Sequence, residues 1–130
     1  MLNIGEAAQA SGVSAKMIRH YEAIGLLPAA RRTAAGYRVY DEQDIRVLQF
    51  IHRGRALGFS LENIAALLAL WQDRDRASAD VRRLAEQHIA ELERKIGELQ
   101  SMKRTLEALA HSCHGDQRSD CPILDDLAAH

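Results

Sequence analysis

Apolar and polar positions repeat with a helical period along almost the whole chain, and one short stretch breaks the pattern. Asn3 can cap a first helix, with Glu6 three residues on in the capping-box position, and Gly12 ends it. Ser14 opens a second helix that stops at Gly25. On it Met17, Ile18, Tyr21 and Ile24 share a core-facing side, while Lys16, Arg19, His20 and Ala23 share the other. The tight turn from Ser11 to Ser14 makes the pair a helix-turn-helix. Pro28 then breaks the period, and Arg31 to Tyr40 reads as a small hairpin: Thr33, Tyr37 and Val39 are β-formers and Gly36 permits the turn. Asp41 caps a third helix carrying Ile45, Leu48 and Ile51 and closed by Gly58. Ser60 caps a fourth, whose apolar face is Leu61, Ile64, Ala65, Leu68 and Trp71.

After a charged corner at Asp73 to Arg76, only Gly97 interrupts helical residues from Ser78 to about His111, a rod on the order of 50 Å at ~1.5 Å per residue. Ala85, Ile89, Leu92, Ile96, Leu99, Leu106 and Ala110 follow alternating four- and three-residue steps, with Lys103 in one seat. A rod of that length cannot bury its apolar stripe within so short a chain, so the pattern predicts pairing with a second copy. Pro122 suits the first position of a short final helix, Ile123 to Ala129, with Cys121 at its cap.

Composition narrows the class. At 130 residues and 47% hydrophobic content the chain reads as one soluble domain, or one small domain plus an oligomerisation arm. The longest apolar run, Ile64 to Trp71, is far short of the roughly 20 residues that span a bilayer, and the polar opening lacks a signal-peptide pattern. The expected location is cytoplasmic, with no membrane partner. Net charge is −1, but residues 1 to 55 hold eight Lys/Arg against five Asp/Glu, and residues 77 to 130 hold seven against ten. The basic half is where nucleic acid would bind. Lys16 and Arg19 lie on the exposed face of the second helix, and Arg32, Arg38 and the Tyr37 hydroxyl sit on the hairpin beside it, a display suited to gripping phosphates on both sides of a groove.

Candidate chemistry lies in the stretch Ser112 to Leu124, which holds both cysteines of the chain, Cys113 and Cys121. Gly115 lets the loop between them fold back. A helix start at Pro122 offers N–H groups and a positive dipole end, which favour the thiolate that binds metal. Two cysteines do not fill a structural zinc site, although His111 and His114 could complete a Cys2His2 set. His20, His52, His88 and His130 read as surface or core residues. A d¹⁰ monovalent ion such as Cu(I), Ag(I) or Au(I) is content with two sulfurs. A thiol redox switch, or a copper-binding chaperone, accounts for the same pair of thiols.

Together, Ile4-Gly5-Glu6-Ala7-Ala8, Ile18-Arg19-His20-Tyr21-Glu22, Gly25-Leu26-Leu27 and Gly36-Tyr37-Arg38-Val39-Tyr40 resemble the MerR regulators, dimeric bacterial transcription factors, along essentially the whole chain. The lower half, with Ser78-Ala79-Asp80-Val81, Glu98 to Met102 and Cys113 through Ile123, is similar to the copper-efflux regulator branch. The resemblance implies a mainly α fold: a winged helix-turn-helix DNA-binding domain with helical support over residues 1–76, a dimerisation helix over 77–111 forming an antiparallel coiled coil, and a metal-binding loop with a short helix over 112–130. It implies DNA contacts from Lys16, Arg19, Tyr21, Arg32, Tyr37, Arg38 and Arg55, and metal ligation by Cys113 and Cys121. Ser78 would stand where branches sensing divalent ions carry a third cysteine from the partner subunit. A non-enzymatic activator of copper-efflux genes is implied, working as a homodimer on double-stranded promoter DNA with RNA polymerase.

Overall fold

The computed structural model describes residues 1–129, so His130 lies outside it. The described elements are α1 (Ile4–Ser11), α2 (Ala15–Ala23), β1 (Arg31–Arg32), β2 (Arg38–Val39), α3 (Glu42–Ala56), α4 (Leu61–Gln72), α5 (Ser78–Ser112) and α6 (Pro122–Ala129). They form two compact units, Met1–Leu84 and Ala85–His130, with α5 running through the division. Among the described residues no helix is long and apolar enough to cross a membrane. The mainly helical, winged helix-turn-helix architecture expected from the sequence is the one observed.

In the first unit, short-range hydrogen bonds decide where each helix starts. Asn3 Oδ1 accepts from the Glu6 N–H at 2.8 Å and Glu6 Oε1 accepts from the Asn3 N–H at 3.0 Å, a complete capping box. Gly12 closes α1 in the left-handed region, at φ 79°, with its N–H donating to the Ala8 carbonyl. Ser14 Oγ then accepts from the Met17 N–H, and Ser60 Oγ from the Asn63 N–H, starting α2 and α4. Such caps are worth about 1 kcal/mol each.

The packed helices bury Ala7, Ile18, Tyr21, Leu27, Tyr40, Val47, Leu48, Ile51, Ile64 and Leu68 in one core. α1 packs on α2 and α3, and α3 on α4. Two expectations about faces need correction. α2 ends at Ala23, so Ile24 is its cap rather than a core residue and is exposed. On α4 the buried positions are Ile64 and Leu68, while Ala65 is exposed. Trp71 is 39% exposed and rests flat on Phe50, with ring centroids 4.7 Å apart.

The hairpin is short. β1 and β2 pair antiparallel with Arg31 opposite Val39 and Arg32 opposite Arg38. Sequence periodicity did not reveal that Leu2 extends this ribbon: Leu2 and Tyr40 exchange two backbone hydrogen bonds of 2.8 Å. At its base Arg31 pairs with Asp41 at 3.1 Å, joining β1 to the cap of α3. That cap is a second box, in which Asp41 Oδ1 accepts from the Asp44 N–H and Asp44 Oδ2 from the Asp41 N–H. The Asp44 N–H, helped by Arg31, holds the Asp41 carboxyl below its ordinary range. Burial, then the charge of Asp41, pushes Asp44 upward.

The second unit is built differently. His88 is the one buried residue of α5, and α6 has none. Ile89, Ile96, Leu99 and Leu106 of the heptad stripe are all more than half exposed. Met102, Leu106 and Leu109 of α5 line an apolar groove of about 400 Å³ together with Ile123 and Leu127 of α6.

Candidate nucleic-acid interface and cysteine pair

Three segments of the first unit converge on one open groove of about 370 Å³: the start of α1 (Asn3, Ile4), Arg19 of α2, and Arg32, Gly36, Tyr37 and Arg38 of the wing. Four of the side chains proposed to touch DNA are therefore brought together. Arg19 reaches it because it lies on the exposed face of α2, and Arg32 and Arg38 because they are cross-strand partners. Each wing residue is held. Arg32 Nη1 donates to the Gly36 carbonyl at 2.8 Å, stapling the strand to the turn, and the Tyr37 N–H donates to Thr33 Oγ1. Tyr37 itself is 72% exposed, with its ring free to meet a ligand. Gly36 takes φ 86°, a turn conformation that a side chain would strain.

Other residues expected at the interface sit elsewhere. Lys16 is exposed on α2 but outside the groove lining. Arg55, near the end of α3, donates to the Phe59 carbonyl at 2.8 Å and so ties down the α3–α4 turn. Tyr21 is 5% exposed, and its ring packs in the core.

Periodicity missed the group beneath the groove. Arg38 and Tyr40 are two residues apart on one strand, so their side chains leave the same face, toward α2. There Glu22 receives both. Its carboxylate accepts a short hydrogen bond from the Tyr40 hydroxyl and lies 3.4 Å from Arg38 Nε. Burial, reinforced by Glu22, raises the Tyr40 hydroxyl far above the ordinary phenol range, so it stays protonated and donates. The one available signal was Glu22 three positions after Arg19, on the same side of α2.

In the second unit both cysteines are half-buried and free. Cys113 follows the last residue of α5, its N–H still donating to the Leu109 and Ala110 carbonyls. The Cys121 carbonyl accepts from the Asp125 N–H, so Cys121 begins α6 as expected. Between them Gly115 takes φ 67°, and Asp116 pairs with Arg118 at 3.2 Å. His111 and His114 are exposed, and among the described residues no three His, Cys, Asp or Glu side chains gather as a metal cluster. The Cys2His2 arrangement is thus not assembled. Cys113 and Cys121 are both soft sulfur donors. Ser78 opens α5, at the opposite end of that helix from Cys113.

Residues 2–71 match the MerR HTH family regulatory protein model, and residues 45–109 match the model described as MerR, DNA binding. The chain is 58% identical over 127 residues, 98% of its length, to Heavy metal-dependent transcription regulator 2 of Rhizobium meliloti (strain 1021), covering 86% of that protein. It is 42% identical over 127 residues to the HTH-type transcriptional regulator CueR of Escherichia coli O157:H7, covering 98% of this chain and 94% of that one. Among solved structures it resembles the transcription regulator PbrR691 from Ralstonia metallidurans CH34 in complex with lead(II), at TM-score 0.83 and 35% identity, over 98% of this chain and 99% of that one. With the winged helix-turn-helix, the long helix and the matched models in agreement, the chain belongs to the MerR family of helix-turn-helix transcriptional regulators, DNA-binding proteins and not enzymes.

Proposed function

We propose that this chain is a metal-responsive activator that senses Cu(I), and Ag(I) or Au(I) as inducers, through Cys113 and Cys121, and controls copper-efflux or detoxification genes in the cytoplasm. The observation that carries the reading is the donor set itself: two free, half-buried thiols, one at the end of α5 and one at the start of α6. Two thiolates on a monovalent ion leave a single negative charge, which the start of α6 can offset; on that ground a soft +1 ion is preferred to a divalent one. Ligation would tie the end of α5 to the start of α6. The proposed division of labour is residues 1–76 for DNA, 77–111 for pairing two copies, and 112–130 for the ion.

Lys16, Arg19, Tyr21, Arg32, Tyr37, Arg38 and Arg55 are the proposed contacts to promoter duplex. Binding energy that differs between two forms of the dimer would then shift their populations, and with them the twist and bend of a promoter presented to RNA polymerase. Cys113→Ser or Cys121→Ser is expected to abolish Cu(I)-dependent transcription while leaving promoter affinity within about twofold, inside the error of additive distant sites. Loss of promoter binding instead would make the loop structural.

A second reading, a sensor of a soft divalent ion, draws on the likeness to a regulator solved with lead(II). Titrating the reduced protein with Cu(I) under a competing chelator, against Pb(II), Zn(II) and peroxide, separates these readings and the redox switch. Ser78→Cys should let divalent ions compete, if the partner's residue 78 stands by the thiols as proposed.

A further inference from the structure

Glu22 carries a negative charge next to a surface proposed to bind phosphates, and its own side chain is only 10% exposed. A carboxylate there is unfavourable for nucleic-acid binding unless it does something else. Both of its partners come from the wing: the hydroxyl of Tyr40, a residue 1% exposed, and the guanidinium of Arg38. Arg38 Nε is buried and makes no hydrogen bond among the described residues, so the Glu22 carboxylate is the charge that compensates it. The Arg38 side chain is nevertheless 31% exposed and lines the groove shared with Arg19, Arg32 and Tyr37.

We infer that Glu22 is a positioning residue for DNA binding: through Tyr40 it fixes the wing against the recognition helix α2, and through Arg38 Nε it aims the remaining guanidinium N–H groups into the groove. The inference rests on the reading of that groove as the phosphate-contacting face. Two effects of Glu22 oppose each other. Its charge repels phosphates, so removing it should tighten binding if charge alone matters. Its hold on Arg38 means that the arginine need not be ordered when DNA arrives, a cost of about 0.5–1.5 kcal/mol per long side chain. Since Arg38 Nε has no other partner among the described residues, the second effect wins.

The test is a double-mutant cycle on the full-length dimer with a promoter duplex, read as affinity against salt concentration. Glu22→Gln keeps an acceptor for Tyr40 and loses the ion pair; it is expected to weaken binding about two- to tenfold, the ordering cost of one side chain. Glu22→Ala is expected to do so at least as strongly, with its melting curve followed to separate unfolding from mispositioning. In an Arg38→Ala background, Glu22→Gln should have no effect on affinity or should tighten it, because only the repulsion is left to remove. Arg38→Ala itself should flatten the slope of log K against log salt by about one unit. An Arg38→Ala protein with unchanged affinity and slope would overturn the reading of the groove. A Glu22→Gln protein that binds as tightly as the parent or tighter, or that loses as much affinity without Arg38 as with it, overturns the positioning role alone.

Discussion

The two units of this chain hold their apolar residues in opposite ways. Every residue of the buried hydrophobic core lies in Met1–Leu84, whereas the long helix beyond it buries one histidine and leaves Ile89, Ile96, Leu99 and Leu106 more than half exposed. The first unit completes itself by packing, with fully buried aliphatic side chains each worth about 1.5–3 kcal/mol. The second unit leaves much of its apolar surface open. A stripe at heptad spacing fits a second copy of the same helix, and pairing of two copies is the habit of this family.

Leu48→Ala should break the first side of that contrast. Leu48 is fully buried, and its truncation should cost about 2–5 kcal/mol, read by denaturant unfolding. A loss below about 1 kcal/mol would mean the core is looser than its burial indicates. Leu99→Asp attacks the other side: a carboxylate in an apolar seam costs several kcal/mol, so dimerisation should weaken at least about 100-fold in sedimentation equilibrium. The first unit should melt nearly unchanged. If the variant stays dimeric at micromolar concentration, the stripe is not the seam.

Smaller effects sharpen the picture of the groove. Arg19→Ala should lower the salt slope of promoter binding by about one unit, the signature of a lost phosphate contact. Retention of the full slope would move Arg19 out of the phosphate set. The smallest effect belongs to the Asp41 and Asp44 box. Asp41 is held below its usual range, so its contribution is present above the unfolded value and is lost as pH falls through the folded one. Asp44 is shifted upward, so its ionised form is a cost at neutral pH that vanishes in acid. Asp44→Asn keeps an acceptor oxygen and should stabilise the first unit slightly at pH 7, with no gain at acid pH, read by denaturant unfolding at the two pH values. Destabilisation at pH 7 would show that the acidic charge at the helix start outweighs its burial.

What the sequence made legible was local. Asn3 with Glu6, Ser14, Ser60, Gly12 and Pro122 act within a few residues of themselves, and each does what its position predicts. The illegible part joins residues remote in the chain. Glu22 entered the sequence only as one letter of a family motif, and its partner Tyr40 lies eighteen positions on. Leu2 carried no strand pattern because a single bridge to Tyr40 needs none. Ile24 and Ala65 were placed by extending a helical phase, which fails where the helix ends or rotates against its neighbour. The thiols were legible as a count and a spacing, because donor chemistry depends on residue type more than on surroundings.

The wing has a consequence for exchange of its amide protons. Two paired residues per strand are too few to hold a ribbon by themselves. Its ties are instead the Leu2 bridge, the Arg31–Asp41 pair and the Glu22 carboxylate, all at the base, against the Thr33–Tyr37 and Arg32–Gly36 bonds near the tip. The Leu2 and Tyr40 amides should therefore open only with the whole first unit, while those of Gly36 and Tyr37 exchange by local fraying, a gradient of opening energies along about ten residues of chain.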